Sequence, residues 1–178
     1  MTRSNTAKAA APPVLDADDE MNNRLFFRLF QASNIYERQA QRELNFSAIQ
    51  GAVLGALSRE PVDGIGFSDL VEYLVVSRQN LDGVLKRLEK QGYAERVENP
   101  TNRRVKMVRL TKAGLRAWDE LFENSLRFYR QGTEGIAPEE KAAFVETLGR
   151  VGRSLRSIKL REPAPKPKAA SKRAPPSK

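Results

Sequence analysis

The 178-residue chain contains no cysteine and no histidine. The first absence excludes disulfides and thiol redox sensing. Together they exclude zinc sites of the Cys/His kind and every triad that needs an imidazole. A Gly-rich phosphate loop is also missing, as is any apolar run long enough to span a bilayer. The opening stretch MTRSNTAKAAAPPVLDADDE lacks an apolar h-region, which argues against a secretory signal, and it is free of acids until Asp16. Carboxylates alone could serve a hydrolase or a Mg²⁺ site. The densest acidic cluster, Asp18, Asp19 and Glu20, sits just ahead of a helical pattern, where acids offset the positive end of the helix dipole. We expect no catalytic residue, no metal site and no cofactor, and do not read the chain as an enzyme.

What is present is positive charge. The formal net charge is +9 and the pI about 10.0, which favours a polyanionic partner, nucleic acid before acidic membrane. The C-terminal REPAPKPKAASKRAPPSK carries a net +5 and the first twenty residues a net −2, leaving +6 on the stretch between them. Residues 1–17 are expected to be a disordered arm and 161–178 a disordered basic Pro/Ala/Lys tail, because neither has the apolar content to build a core. Residues 18–160 carry almost all the large apolar side chains. No internal repeat is visible.

Within that segment the periodicities change in order. Leu25, Phe26, Leu29, Phe30, Ser33, Tyr36 and Ala40 follow helical spacing, and predict a long amphipathic helix from about Asp18 to Leu44. Ile49, Val53, Ala56 and Leu57 mark a second helix, closed by Pro61. Ile65–Phe67 reads as a very short strand, and Ser68 as the cap of a helix that turns Leu70, Val71 and Leu74 inward. Ser77 and Gly92 bracket a further helix in which Leu81, Val84, Leu85 and Leu88 form one stripe. Tyr93–Glu98 and Arg104–Leu110 read as strands joined by Asn99–Asn102, with Pro100 setting the turn. Thr111 caps a long helix containing Trp118, Leu121 and Phe122. Ala137-Pro138-Glu139-Glu140 opens a final one with Phe144, Leu148, Val151, Leu155 and Ile158. The fold class is mainly α with a small β-hairpin.

A short helix, a turn, a capped helix and a hairpin make a winged helix-turn-helix lobe. The second helix of the pair can bury its leucine stripe and still present Ser77, Arg78, Gln79, Asn80, Gly83, Lys86 and Arg87 to a major groove. Arg and Gln pair bidentately with base edges, and Lys suits phosphate. Gly83 costs about 1 kcal/mol in mid-helix relative to Ala, a cost that docking against a backbone would explain. An ordinary solvated basic face is the other reading of this helix. Arg103 and Arg104 on the hairpin tip favour DNA, since paired guanidinium groups there suit a minor groove or its phosphates.

The stretch FSDLVEYLVVSRQNLDGVLKRLEKQGYAERVENPTNRRVKMVRLTKAG, Phe67 to Gly114, resembles the DNA-binding core of the MarR family of bacterial transcription regulators. The strongest pieces are VLKRLEKQGYAER, the wing and VRLTKAG, and the long flanking helices match in order and length. The resemblance implies a MarR-type domain at 18–160. In it, dimerisation helices at about 18–44 and 111–160 flank a winged-helix lobe at about 46–110. It further implies a homodimer, a recognition helix at Ser77–Gln91, and a cytoplasmic, nucleoid-associated repressor on double-stranded DNA with a palindromic operator. A small effector, entering between the dimer helices and the DNA lobe, would release the DNA. The wing departs from the family in carrying Asn99 and Asn102 where aspartates are common, so weaker orientation of its arginines is expected. An architectural protein binding DNA without sequence preference is the alternative, on account of the basic tail. Phe26, Phe30, Trp118 and Phe122 are candidates to line an effector pocket, although aromatics at this spacing also make ordinary core. Arg28, Arg38 and Arg42 would suit an anionic effector, such as an aromatic carboxylate or its coenzyme A thioester, ligands that family members governing aromatic-acid catabolism use.

Overall fold

The computed structural model describes residues 15–159, apart from 61, 100, 103 and 104. The expected N-terminal arm (save its last three residues), the basic tail and the wing-tip arginines Arg103 and Arg104 lie outside the described residues. The element order is α1 (Ala17–Leu44), α2 (Ala48–Leu57), β1 (Ile65–Gly66), α3 (Phe67–Leu74), α4 (Arg78–Lys90), β2 (Ala94–Glu98), β3 (Lys106–Leu110), α5 (Lys112–Gly132) and α6 (Pro138–Ser157). Of the described residues, those up to Gly132 form one compact unit and those from Thr133 another.

Local chemistry explains most boundaries. Asp16 caps α1 by accepting from the Asp19 amide at 2.8 Å, with Asp18, Asp19 and Glu20 in the first turn. Ser47 and Gln50 close a reciprocal box at the start of α2: the Gln50 amide donates to Ser47 Oγ and the Ser47 amide to Gln50 Oε1. A third donor, the Ala48 amide, bonds Glu37 of α1 at 3.0 Å, so α1 helps cap α2. Gly92 takes the left-handed conformation (φ 74°) that ends α4. One expectation fails. Ser68 lies inside α3, whose N-cap is Gly66 without a side-chain cap. Because Gly66 is still paired to Met107 in the sheet, the chain passes from strand to helix with no spare residue for a serine cap.

The three strands form an antiparallel sheet in the order β1-β3-β2, with Ile65 and Arg96 both opposite Val108. The central place of β3 accounts for its uneven alternation: Val108 and Leu110 are buried in the core, while Met107 is half-buried. The core gathers Val53, Leu54 and Leu57 of α2, Leu70 of α3, the α4 stripe and Leu121 of α5. A fully buried Leu or Val of this kind contributes about 1.5–3 kcal/mol. Thr111 joins the hairpin to α5. Its hydroxyl donates to the Gly92 carbonyl at 2.6 Å and accepts from the Gly114 amide at 3.0 Å. Gly114 is required there, because a Cβ would lie 1.8 Å from the Tyr93 carbonyl oxygen.

Candidate nucleic-acid interface

Helix α3 ends at Leu74, Val75 reverses the chain in the left-handed region (φ 54°), and Ser77 accepts from the Asn80 amide at 3.1 Å to start α4. A β-branched residue at such a φ is strained, and this one forms the turn of the helix-turn-helix. The buried stripe of Leu81, Val84, Leu85 and Leu88 fixes the rotation of α4. Arg78, Gln79, Asn80, Lys86 and Arg87 are thereby exposed and Gly83 half-exposed. A Cβ built on Gly83 meets nothing within 4 Å, so the α4 backbone is bare on that side.

The exposed cations differ in how they are held. Lys86 Nζ lies 2.9 Å from Asp82 Oδ2, and Arg96 Nη2 lies 2.8 Å from Asp82 Oδ1. Arg96 Nε also reaches Glu89 Oε1 at 3.0 Å. One arginine on β2 therefore ties the base of the wing to two points on α4. The hydrogen bond from Lys86, then that from Arg96, holds the Asp82 carboxyl below the usual carboxylate range. Arg78 takes a different course: Nη2 donates to Ser68 Oγ at 3.0 Å, and its guanidinium lies 5.8 Å from the Phe67 ring centroid. Asp82 and Lys86 pair at i,i+4 spacing, although the sequence reading did not single the pair out. The partners of Arg96 follow no such spacing, since Asp82 and Glu89 lie on a different element.

At the wing, Asn99 Oδ1 accepts from the Thr101 amide at 2.9 Å, the Thr101 hydroxyl at 2.7 Å and the Asn102 amide at 3.0 Å. A neutral amide thus builds the turn through backbone donors rather than through charge. Lys106–Glu98 at 3.6 Å and Arg109–Glu95 at 2.8 Å pair across the two strands below it.

A cavity of about 720 Å³ opens among α1, α2, α3 and α5. Trp118 and Phe122 line it, their ring centroids 5.4 Å apart, and the indole rests on the bare Gly55 backbone of α2. The hydroxyls of Tyr36 and Tyr129 meet at 3.4 Å on its wall, and burial, with Tyr129 alongside, pushes the Tyr36 phenol up. The cation in this lining is Arg59. It donates to the Tyr73 hydroxyl at 3.0 Å and sits 5.9 Å over that ring. Phe26, Arg28, Phe30, Arg38 and Arg42 do not line the cavity. Of α1, only Tyr36, Ala40 and Leu44 reach it. Periodicity gives a residue's face but not how far along a helix a cavity will open, and Arg38, two positions from Tyr36, is exposed and outside the lining. Among the described residues, no group of three or more acidic side chains could hold a metal ion, and no helix is long and apolar enough to cross a membrane.

Comparison with known proteins agrees with this geometry. A MarR family model matches residues 44–105, from the end of α1 to the residue before β3. The transcriptional activatory protein BadR of Rhodopseudomonas palustris is 40% identical over 126 residues, spanning 68% of this chain and 72% of BadR. The HTH-type transcriptional regulator YfiV of Bacillus subtilis is 28% identical over 146 residues, 82% of this chain and 90% of YfiV. Among solved structures, the Streptomyces coelicolor transcriptional regulator PcaV, in complex with its natural ligand, matches with a TM-score of 0.68 at 27% identity. That match covers 81% of this chain and 99% of PcaV.

Proposed function

This chain belongs to the MarR family and is a DNA-binding transcription regulator; from that premise we propose that it acts as a homodimer on a palindromic operator and answers to a small effector. The observation that carries the DNA reading is α4. Its apolar stripe is fully committed to the core, while the opposite side pairs a bare backbone at Gly83 with exposed Gln79 and Asn80, the side chains suited to base edges. Ser77 and the cations Lys86 and Arg87 complete that surface. The test is selection of binding sites from randomised duplexes by the full chain. A two-fold symmetric consensus supports the reading, and equal affinity for random duplexes supports an architectural role instead.

Self-association rests on apolar surface. Phe26, Phe27 and Phe30 on α1, and Phe144 and Val145 on α6, are each 44% exposed or more, and a second copy would cover them. Light scattering should report twice the 20.0 kDa chain mass at micromolar concentration. The effector reading rests on the cavity, with aromatic walls at Trp118 and Phe122 and a cation at Arg59 that suit an aromatic carboxylate or its thioester. That PcaV was solved with a natural ligand supports it. Trp118 is the chain's one tryptophan, so its fluorescence should respond to benzoate more strongly than to benzamide, and Arg59→Met should remove that preference. Occupancy would then shift α2 and α3 relative to α1 and α5 and so change the DNA-competent population. The name of BadR favours activation over the repression expected from the family resemblance. A reporter fused to the selected site, with and without the regulator, distinguishes the two signs.

A further inference from the structure

We propose that Arg78 seats a DNA backbone phosphate, in the cleft that α3, α4 and the wing base share, rather than reading a base edge. The proposal rests on the DNA-binding role above and assigns one contact within it. The sequence pattern puts Arg78 at the first position of the recognition helix, where an arginine is most readily taken for a reader of guanine. The side chain goes elsewhere. Its guanidinium is turned back onto the start of α3, bonded to Ser68 Oγ at 3.0 Å and lying 5.8 Å from the Phe67 ring.

A cleft of about 340 Å³ lies at this point, with Arg78, Ser68, Phe67, Asp82, Arg96 and Lys106 in its wall, the Asp82 carboxylate being paired with Lys86 and Arg96. Of its three cations, Arg96 is compensated by Asp82 and Glu89, and Lys106 stands 3.6 Å from Glu98. Among the described residues no carboxylate pairs with Arg78. Phe67 lies within about 6 Å of both guanidinium groups (5.8 Å for Arg78 and 6.0 Å for Arg96), and its negative ring face lowers the cost of holding two like charges so close. The cleft therefore contains an oriented guanidinium with unspent donors and uncompensated charge. A guanidinium has five N–H groups, and Ser68 takes one. The planar fork matches two non-bridging oxygens of a phosphodiester.

Position decides between phosphate and base. In a helix-turn-helix the first helix crosses the sugar–phosphate backbone while the second enters the groove. An arginine anchored to α3 stands at the crossing. To read a base it would have to leave both Ser68 and Phe67.

The test uses the full chain with two duplexes, one carrying the site recovered by selection and one of random sequence, each titrated over a range of salt. Arg78→Ala should weaken both by the same factor, about tenfold for the charge-assisted contact of each subunit, and lower the log–log salt slope by about 0.9 per subunit, hence about 1.8 for the dimer. The selected consensus should be unchanged at every position. Arg78→Lys should restore the slope but only part of the affinity, because a point charge lacks the fork. Ser68→Ala should weaken both duplexes less and leave the slope intact, since it removes orientation and not charge. A loss confined to the selected duplex, with one base position turning degenerate, would overturn the proposal and make Arg78 a base reader. An unchanged salt slope for Arg78→Ala would overturn it too. Failure of the unaltered chain to bind either duplex would refute the DNA-binding role itself.

Discussion

Gly83 occupies the middle of α4, and its replacement by alanine should move stability and DNA binding in opposite directions. An added Cβ meets no heavy atom within 4 Å, and the residue is not in the left-handed region, so neither crowding nor backbone strain opposes the change. What remains is helix propensity. Alanine in a helix interior is favoured over glycine by about 0.8–1.0 kcal/mol, chiefly because the unfolded chain has less freedom to lose. For a protein of this size that corresponds to a rise in melting temperature of about 3 °C. On DNA the same methyl group would stand between the α4 backbone and the duplex. Displacing one charge-assisted contact there would weaken binding about tenfold. The assays are urea denaturation at fixed protein concentration, followed by Trp118 fluorescence, and a duplex titration by anisotropy. A variant that is stabilised and binds DNA undiminished would refute the close-approach role of Gly83. A destabilised variant would refute the open space around it.

Gly114→Ala should do the reverse to stability, costing about 1–3 kcal/mol, because its Cβ would fall 1.8 Å from the Tyr93 carbonyl oxygen and part α5 from the hairpin. Denaturant midpoints of the two glycine variants, measured side by side, check the contrast. Asp82 titrates below the ordinary range when folded, so its pairs with Lys86 and Arg96 contribute fully above the unfolded carboxylate value of about 3.9 and fade as pH falls through the lower folded value. Asp82→Asn should therefore differ from the unaltered chain by a constant stability above about pH 5, and by progressively less below pH 4. A gap that widens on acidification would refute this assignment. Replacing Arg103 and Arg104 together by alanine should weaken operator binding more than deleting residues 161–178, whereas the deletion should chiefly reduce non-specific binding and its salt dependence. Titrations of both variants at two salt concentrations make the comparison.

Local pattern alone was enough for the element order, the leucine stripe of α4, the caps at Ser77 and Thr111, the stop at Gly92 and the start at Pro138. Each of these depends on residues within one or two turns of one another. The chemistry is therefore contained in the spacing: a stripe at i, i+3, i+4, i+7 buries one face, and a hydroxyl before it satisfies an orphan amide. The face of α4 that carries Gln79, Asn80 and Gly83 followed directly, as the side left over. Tertiary structure decided everything that joins separate segments. Glu37 caps a helix eleven residues further along the chain, Arg96 grips two acids of α4 from a strand, and Arg78 turns back onto α3. The cavity takes its cation from Arg59 of the α2–β1 junction rather than from α1. No spacing rule could name these partners. Which side chains meet across elements depends on the angle and offset at which helices pack, and those are set by the whole core at once.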